Sequence, residues 1–210
     1  MKLDMRVYAV TDRAWTGEKT LEEQLREALE AGVTLVQLRE KDLEEGAFLE
    51  EAKQIKELTD AYGVPLIIND RVDIALAVDA AGVHIGQSDL PAPVVRKILG
   101  PDKILGVSAG TVAQAVQAQQ DGADYLGVGA MFPTGTKEDA DITSMEELKA
   151  ITQAVEIPMV IIGGINKGTI PQFTHCDIDG VAVVSAILAQ PDIRQAAQEL
   201  DAMLPEGWGR

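Results

Sequence analysis

Polar residues in this chain gather at the ends of short apolar runs. Leu66-Ile67-Ile68 runs into Asn69-Asp70, and Val83-His84-Ile85-Gly86 into Gln87-Ser88-Asp89. Ile104-Leu105-Gly106-Val107 reaches Ser108, Met159 to Ile162 reaches Gly163-Gly164, and Val181 to Val184 stops at Ser185. Further runs begin near Arg6, Leu35 and Tyr125, so eight begin near Arg6, Leu35, Leu66, Gly82, Ile104, Tyr125, Met159 and Gly180. Most are near-continuous Val, Ile, Leu, Ala and Gly rather than alternating, which marks strands covered on both faces. Between them the period changes to that of a helix. Thr20 and Glu23 form a capping box before Leu21, Leu25, Ala28 and Leu29, closed by Gly32. Phe48, Ala52, Ile55 and Thr59 repeat the spacing up to Gly63-Val64-Pro65. Ser144 and Glu147 read as a second box before Leu148, Ile151 and Val155, Pro91 suits the first turn of a fourth helix, and Thr111 the cap of a fifth.

Strand–helix alternation requires a parallel sheet, and eight such units can close into a (β/α)8 TIM barrel, whereas a flavodoxin-like sheet uses about five strands. The expected architecture is therefore α/β, with residues 1–210 forming one catalytic domain, since no Pro/Gly/Ser-rich stretch divides the chain. In such a barrel the chemistry sits on the loops at the carboxyl ends of the strands.

Composition narrows the partners. Lys and Arg number 18 against 34 Asp and Glu, a net charge of −16, which speaks against nucleic acid or an anionic membrane as partner. A few local cations can still govern a pocket for a small anion, because charges beyond about 8 Å are screened at physiological salt. The single cysteine, Cys176, cannot form an internal disulfide, and no cysteine–histidine cluster suggests zinc. With no signal-like start and no apolar run near the roughly 20 residues of a membrane span, a cytoplasmic protein is expected.

Several constellations can carry chemistry. Gly163-Gly164 and Val184-Ser185, after the seventh and eighth strands, suit phosphate binding by backbone N–H groups and a helix start, or simply a tight turn. Thr134-Gly135-Thr136-Lys137 offers hydroxyls and a cation to phosphate oxygens, as ordinary polar loops also do. Asp70 and Asp89 follow neighbouring strands; they suit Mg2+ or, equally, the caps of the third and fourth helices. Gln37, Arg39 and Lys41 alternate at the end of the second strand, so one face presents all three to the barrel mouth for a polyanion, the alternative being salt bridges to Glu40 or Asp42. Gly106-Val107-Ser108-Ala109-Gly110 matches a serine-hydrolase elbow, which would require His175 with Asp139 or Asp141; this sits poorly with an eightfold repeat. His84, alone in mid-strand, reads as a satisfied core residue, and Trp15 and Trp208 suggest nothing specific.

Taken in order, Gln37-Leu38-Arg39-Glu40-Lys41, Asn69-Asp70-Arg71-Val72-Asp73, Gly86-Gln87-Ser88-Asp89, Gly106-Val107-Ser108, Pro133-Thr134-Gly135-Thr136-Lys137, Gly163-Gly164-Ile165 and Val184-Ser185-Ala186-Ile187 closely resemble thiamin phosphate synthase, over essentially the whole chain. The resemblance implies condensation of hydroxymethylpyrimidine diphosphate with hydroxyethylthiazole phosphate to thiamin phosphate and pyrophosphate. It implies one Mg2+ per subunit on Asp70 and Asp89. Gln37, Arg39, Lys41, Asn69, Ser108 and Lys137 would hold the pyrimidine diphosphate, and Thr134, Gly135, Thr136, Gly164, Val184 and Ser185 the thiazole phosphate. Two small phosphorylated substrates are the expected partners, and a homo-oligomer is compatible with the pattern. A related barrel that tautomerises thiazole phosphate, and a non-catalytic phosphate-binding barrel, are the alternatives. Gly110 departs from relatives with a polar residue there and weighs against the tautomerase.

Overall fold

The computed structural model describes residues 3–135 and 141–209. Eight parallel strands close into a barrel in sequential order. They are β1 (Val7–Val10), β2 (Leu35–Leu38), β3 (Leu66–Asn69), β4 (Gly82–Ile85), β5 (Ile104–Ala109), β6 (Tyr125–Val128), β7 (Met159–Ile161) and β8 (Gly180–Val183). Each begins where the apolar runs place it. β1 pairs with β8 as well as β2, with Tyr8 beside both Leu35 and Ala182, so no strand edge remains open.

The helices between strands are α1 (Leu21–Glu30), α2 (Glu45–Tyr62), α3 (Val72–Ala77), α4 (Ala92–Leu99), α5 (Val112–Gln120) and α6 (Met145–Ala154), followed after β8 by α7 (Ser185–Leu188) and α8 (Ile193–Met203). The expected box at Thr20 is complete: Thr20 accepts from the Glu23 N–H and the Glu23 carboxylate accepts from the Thr20 N–H. The box at Ser144 is only half made. Ser144 Oγ accepts from the Glu147 N–H, but the Glu147 carboxylate instead accepts from the Val112 N–H at 2.7 Å, tying α6 to the start of α5. The seventh unit also departs from the pattern. Its connection holds a 3-10 turn, Ile170–Gln172, in place of an α-helix.

Two cores result. Between sheet and helices lies the large one, including Leu25, Phe48, Ile55, Leu105, Leu126 and Ile161. Inside the ring lies a smaller one, built from Met5, Tyr8, Val10, Leu35, Ile67, Tyr125, Val160 and Ala182. The tail is docked: Trp208 is buried, and Arg6 at the entry to β1 donates to the carbonyls of Asp201, Leu204 and Pro205. Trp208 is therefore a core residue, which its place in the sequence does not suggest.

The ring interior is filled by two phenols and an imidazole, and glycines make the room. A Cβ on Gly106 would stand 2.2 Å from Tyr125 Cζ, and one on Gly127 3.0 Å from His84 Cε1. Overpacking of this kind costs about 1–3 kcal/mol. Gly106→Ala is therefore expected to lower the urea-unfolding free energy by at least that amount. Gly46→Ala, on a helix position with open space around it, should instead stabilise by up to about 1 kcal/mol; equal effects of the two would refute this account of the interior.

Candidate active site

At the carboxyl ends of the strands the ring opens into a cavity of about 690 Å³. Gln37, Arg39 and Lys41 from the β2 end, Asn69 and Asp70 from β3, and Asp89 from the loop after β4 line one side. Ser108 on β5, Thr134 after β6, Gly164 after β7, and Val184 and Ser185 after β8 complete it. Gly135 is exposed beside Thr134 and does not line the cavity. Thr136 and Lys137 lie outside the described residues, as does Asp139.

The cations at the β2 end are held differently from the sequence expectation. β2 stops at Leu38, so the loop rather than a strand face carries Arg39 and Lys41 to the mouth. Arg39 Nη1 donates to Asp12 Oδ2 at 3.1 Å, and Lys41 Nζ to Asp70 Oδ2 at 2.6 Å. Neither pairs with Glu40 or Asp42. Glu40 turns away from the mouth to Arg13, which also holds Glu51 at 2.6 Å. Burial, together with the adjacent Glu51 and against the pull of Arg13, pushes the Glu40 carboxyl up to about 7. Oε2 of Glu51 is buried and has no hydrogen-bond partner among the described residues.

Asp70 and Asp89 are not helix caps. The residue before α3 is Arg71 and the one before α4 is Pro91, and neither helix start has a side-chain cap. Asp70 has φ +62°, a left-handed backbone that costs a non-glycine residue about 1–3 kcal/mol and that Asp and Asn tolerate best. Its N–H donates to the His84 carbonyl at 2.8 Å, which ties the loop to β4. Asp89 Oδ2 accepts from the Gly86 N–H at 2.7 Å. Burial and the neighbouring Asp70 carboxylate raise the Asp89 carboxyl above the usual aspartate range, against the pull of the Gly86 N–H and Lys41. Two hard-oxygen donors this close, with the charge on Asp89 disfavoured beside Asp70, form the kind of pair that Mg2+ takes alongside water and phosphate.

Across the mouth, Gly163 and Gly164 have φ of +90° and +66°, and a Cβ on either would stand 2.6 Å from a side chain of the β6 loop, Ala130 or Phe132. They allow the β6 and β7 loops to touch. The short α7 opens without a side-chain cap, and Ser185 and Ala186 both line the cavity.

The hydrolase triad does not assemble. His175 lies in the turn leading to the start of β8, far along the chain's path from the mouth, and the imidazole at Ser108 is His84, with Nε2 2.9 Å from Ser108 Oγ. His84 is a satisfied core residue that also lines the cavity. Sequence reasoning missed Tyr8 and Tyr125 behind it; the one available signal was glycine at 106 and 127, facing positions that the bulky rings occupy.

A family model described as thiamine monophosphate synthase matches residues 7–187. A Clostridium beijerinckii protein named thiamine-phosphate synthase is 59% identical over 199 residues, 95% of each chain. One of the same name from Clostridium tetani is 56% identical over 204 residues, 97% of this chain and 98% of its own. Among solved structures, thiamine phosphate pyrophosphorylase from Pyrococcus furiosus superposes with a TM-score of 0.89 at 40% identity, over 96% of each chain.

Two expectations follow from the carboxyl groups. Glu40 is harder to ionise folded than unfolded, so its contribution falls as pH rises from about 4.5 through about 7 and is flat outside that window. Glu40→Gln should flatten the pH dependence of Tm across that range; an unaltered profile would show that Glu40 is not the titrating group. The Asp89 charge is likewise disfavoured in the fold at neutral pH, so Asp89→Asn, whose amide oxygen still accepts from Gly86, should give an equal or higher Tm in metal-free buffer at pH 7. A fall in Tm would contradict the repulsion from Asp70.

Proposed function

The chain belongs to the thiamine monophosphate synthase family, and we propose that the mouth of its barrel is where two phosphorylated substrates meet and where a Mg2+ ion assists. The activity is that of a transferase of thiamin biosynthesis: hydroxymethylpyrimidine diphosphate and hydroxyethylthiazole phosphate give thiamin phosphate and pyrophosphate. No helix among the described residues is long and apolar enough to cross a membrane, and a cytoplasmic location suits small phosphorylated substrates.

The observation that supports this assignment of the mouth is the convergence of eleven residues from seven different strand ends on one cavity, with cations on one side and main-chain donors on the other. Asp70 and Asp89 would hold Mg2+, which when bound supplies positive charge to the oxygens of the departing diphosphate. Arg39 and Lys41, with Lys137, stabilise the negative charge that grows on the same group as the C–O bond breaks. Gln37 and Asn69 orient the pyrimidine, and Ser108 donates a hydrogen bond to phosphate. Thr134, Gly164, Val184 and Ser185, with Thr136, hold the thiazole phosphate so that its ring nitrogen faces the electrophilic carbon, while Gly135, exposed beside Thr134, takes no part in the contact. A carbocation at that carbon reacts with any water present, so the apolar wall of Val160, Ile162 and Ala182 protects it as well as shaping the cavity. No side-chain nucleophile is needed. Position 110 carries no titratable group: Gly110 N–H donates to Gln114 and its carbonyl accepts from Thr143.

Mixing both substrates with and without Mg2+, with mass detection of thiamin phosphate, tests the reading. Metal-dependent formation of product and pyrophosphate is expected; turnover that ignores a chelator would remove Mg2+ from it, and no turnover would reject it. Asp89→Asn and Lys137→Ala should each lower kcat by about tenfold to a thousandfold with the fold intact. Full activity in both would move the site elsewhere.

A further inference from the structure

Inside the ring, five polar side chains from five strands form one unbroken chain of hydrogen bonds. Gln37 Nε2 donates to the Tyr8 hydroxyl at 2.7 Å, and the Tyr8 and Tyr125 hydroxyls are 2.8 Å apart. The Tyr125 hydroxyl lies 2.9 Å from His84 Nδ1, and His84 Nε2 lies 2.9 Å from Ser108 Oγ. Gln37, Tyr8, Tyr125 and His84 are all buried, whereas Ser108 is only partly so and faces the cavity.

Each hydroxyl has one proton, so the Gln37 amide, which turns its nitrogen to Tyr8, decides the direction of every link. Tyr8 receives the Gln37 N–H and must pass its own proton to Tyr125, because the reverse arrangement would leave the Tyr8 proton buried with no acceptor, a loss of about 1–3 kcal/mol. Tyr125 then donates to His84 Nδ1. Neutral His84 is thereby fixed as the tautomer with its proton on Nε2, and that proton goes to Ser108 Oγ. The Ser108 proton is the one left over, and it points into the cavity.

We propose that Gln37, Tyr8, Tyr125 and His84 act as positioning residues that make Ser108 an obligate hydrogen-bond donor toward the anion in the cavity. This rests on the proposed role of Ser108 at the diphosphate, and deepens it. With the chain reversed, Ser108 would give its proton to His84 and offer only lone pairs to a polyanion, which repels it. The direction is worth fixing, because a serine hydroxyl otherwise rotates freely between the two. The hydrogen bonds that run from Gln37 through Tyr8 and Tyr125 to His84 set it.

The test is 15N NMR of histidine-labelled protein carrying His175→Gln, which leaves one imidazole to observe, at a pH where it is neutral. Wild-type His84 should show a protonated, pyrrole-type Nε2 and a pyridine-type Nδ1. Tyr125→Phe should mix the two tautomers and lower kcat by about tenfold, with KM for the thiazole phosphate unchanged. In a Ser108→Ala background the same substitution should lose its effect on kcat, since the chain acts through Ser108. The Nδ1-protonated tautomer in wild type would overturn the proposal, as would an additive effect of Tyr125→Phe and Ser108→Ala. The imidazole spectrum needs no substrate, so a chain that fails the two-substrate assay yet shows the Tyr125-dependent Nε2 tautomer would sink the functional reading and leave the hydrogen-bond direction standing.

Discussion

A closed ring of parallel strands satisfies all of its own main-chain hydrogen bonds, and everything else in this molecule is arranged around what that leaves inside. The lumen is narrow, and water is excluded from all but its open end, so any polar side chain that points inward must find a partner there or reach the mouth. Apolar residues fill the lower layers. Above them the phenols of Tyr8 and Tyr125 meet each other and then Gln37 and His84, so no polar atom of this group is stranded. Glycines at 106 and 127 are the counterpart of those large rings, because eight full-sized side chains per layer do not fit. Polarity therefore rises toward the carboxyl ends of the strands, and only there can a charged ligand be met without a large desolvation cost.

At that end the cations are already engaged. Arg39 rests on Asp12 and Lys41 on Asp70. Partly exposed pairs of this kind contribute little to stability, typically under about 1 kcal/mol. What they do is hold long, flexible side chains at the rim, so that a phosphate exchanges one anionic partner for another without having to order the chain first. The chain carries a net charge of −16, so the proposed recognition of a polyanion here would be a property of a few neighbouring atoms rather than of the overall field. In the proposed reading the Asp70–Asp89 pair follows the same logic with the sign reversed: two carboxylates crowded together would make a place for a cation that neither would make alone.

The barrel was legible because its strands are covered on both faces, and continuous apolar runs are what such strands require. Position along the chain then told which loops gather, and that was sufficient to bring Gln37, Asn69, Asp70, Asp89, Ser108, Gly164 and Ser185 to one cavity. What was not legible depends on contacts distant in sequence. Glu147 leaves its own capping box for an N–H on the preceding helix, and the partners of Arg39 and Lys41 come from the loops after β1 and β3 rather than from the adjacent Glu40 and Asp42. Trp208 is buried because Arg6 anchors the tail, which no local pattern reveals. The same continuity that made the strands easy to find hid which residues face inward. A tyrosine among valines reads identically on either face, and His84 looks like a core residue whether or not it also touches the cavity.

The false serine elbow shows how little a short motif settles without its surroundings. Ser108 does stand beside a histidine, at ordinary hydrogen-bond distance, as a nucleophile would. In a hydrolase the far nitrogen of that ring meets a carboxylate, which stabilises the imidazolium formed when the serine gives up its proton. Here it meets Tyr125, whose hydroxyl is buried against Tyr8 and pushed well above the ordinary phenol range, so it remains neutral. A neutral third member offers no charge to an imidazolium, and the step that would activate the serine has nothing to drive it. The same serine and imidazole in a row, with a phenol where an aspartate would stand, turn a proton acceptor into a device for aiming a proton donor.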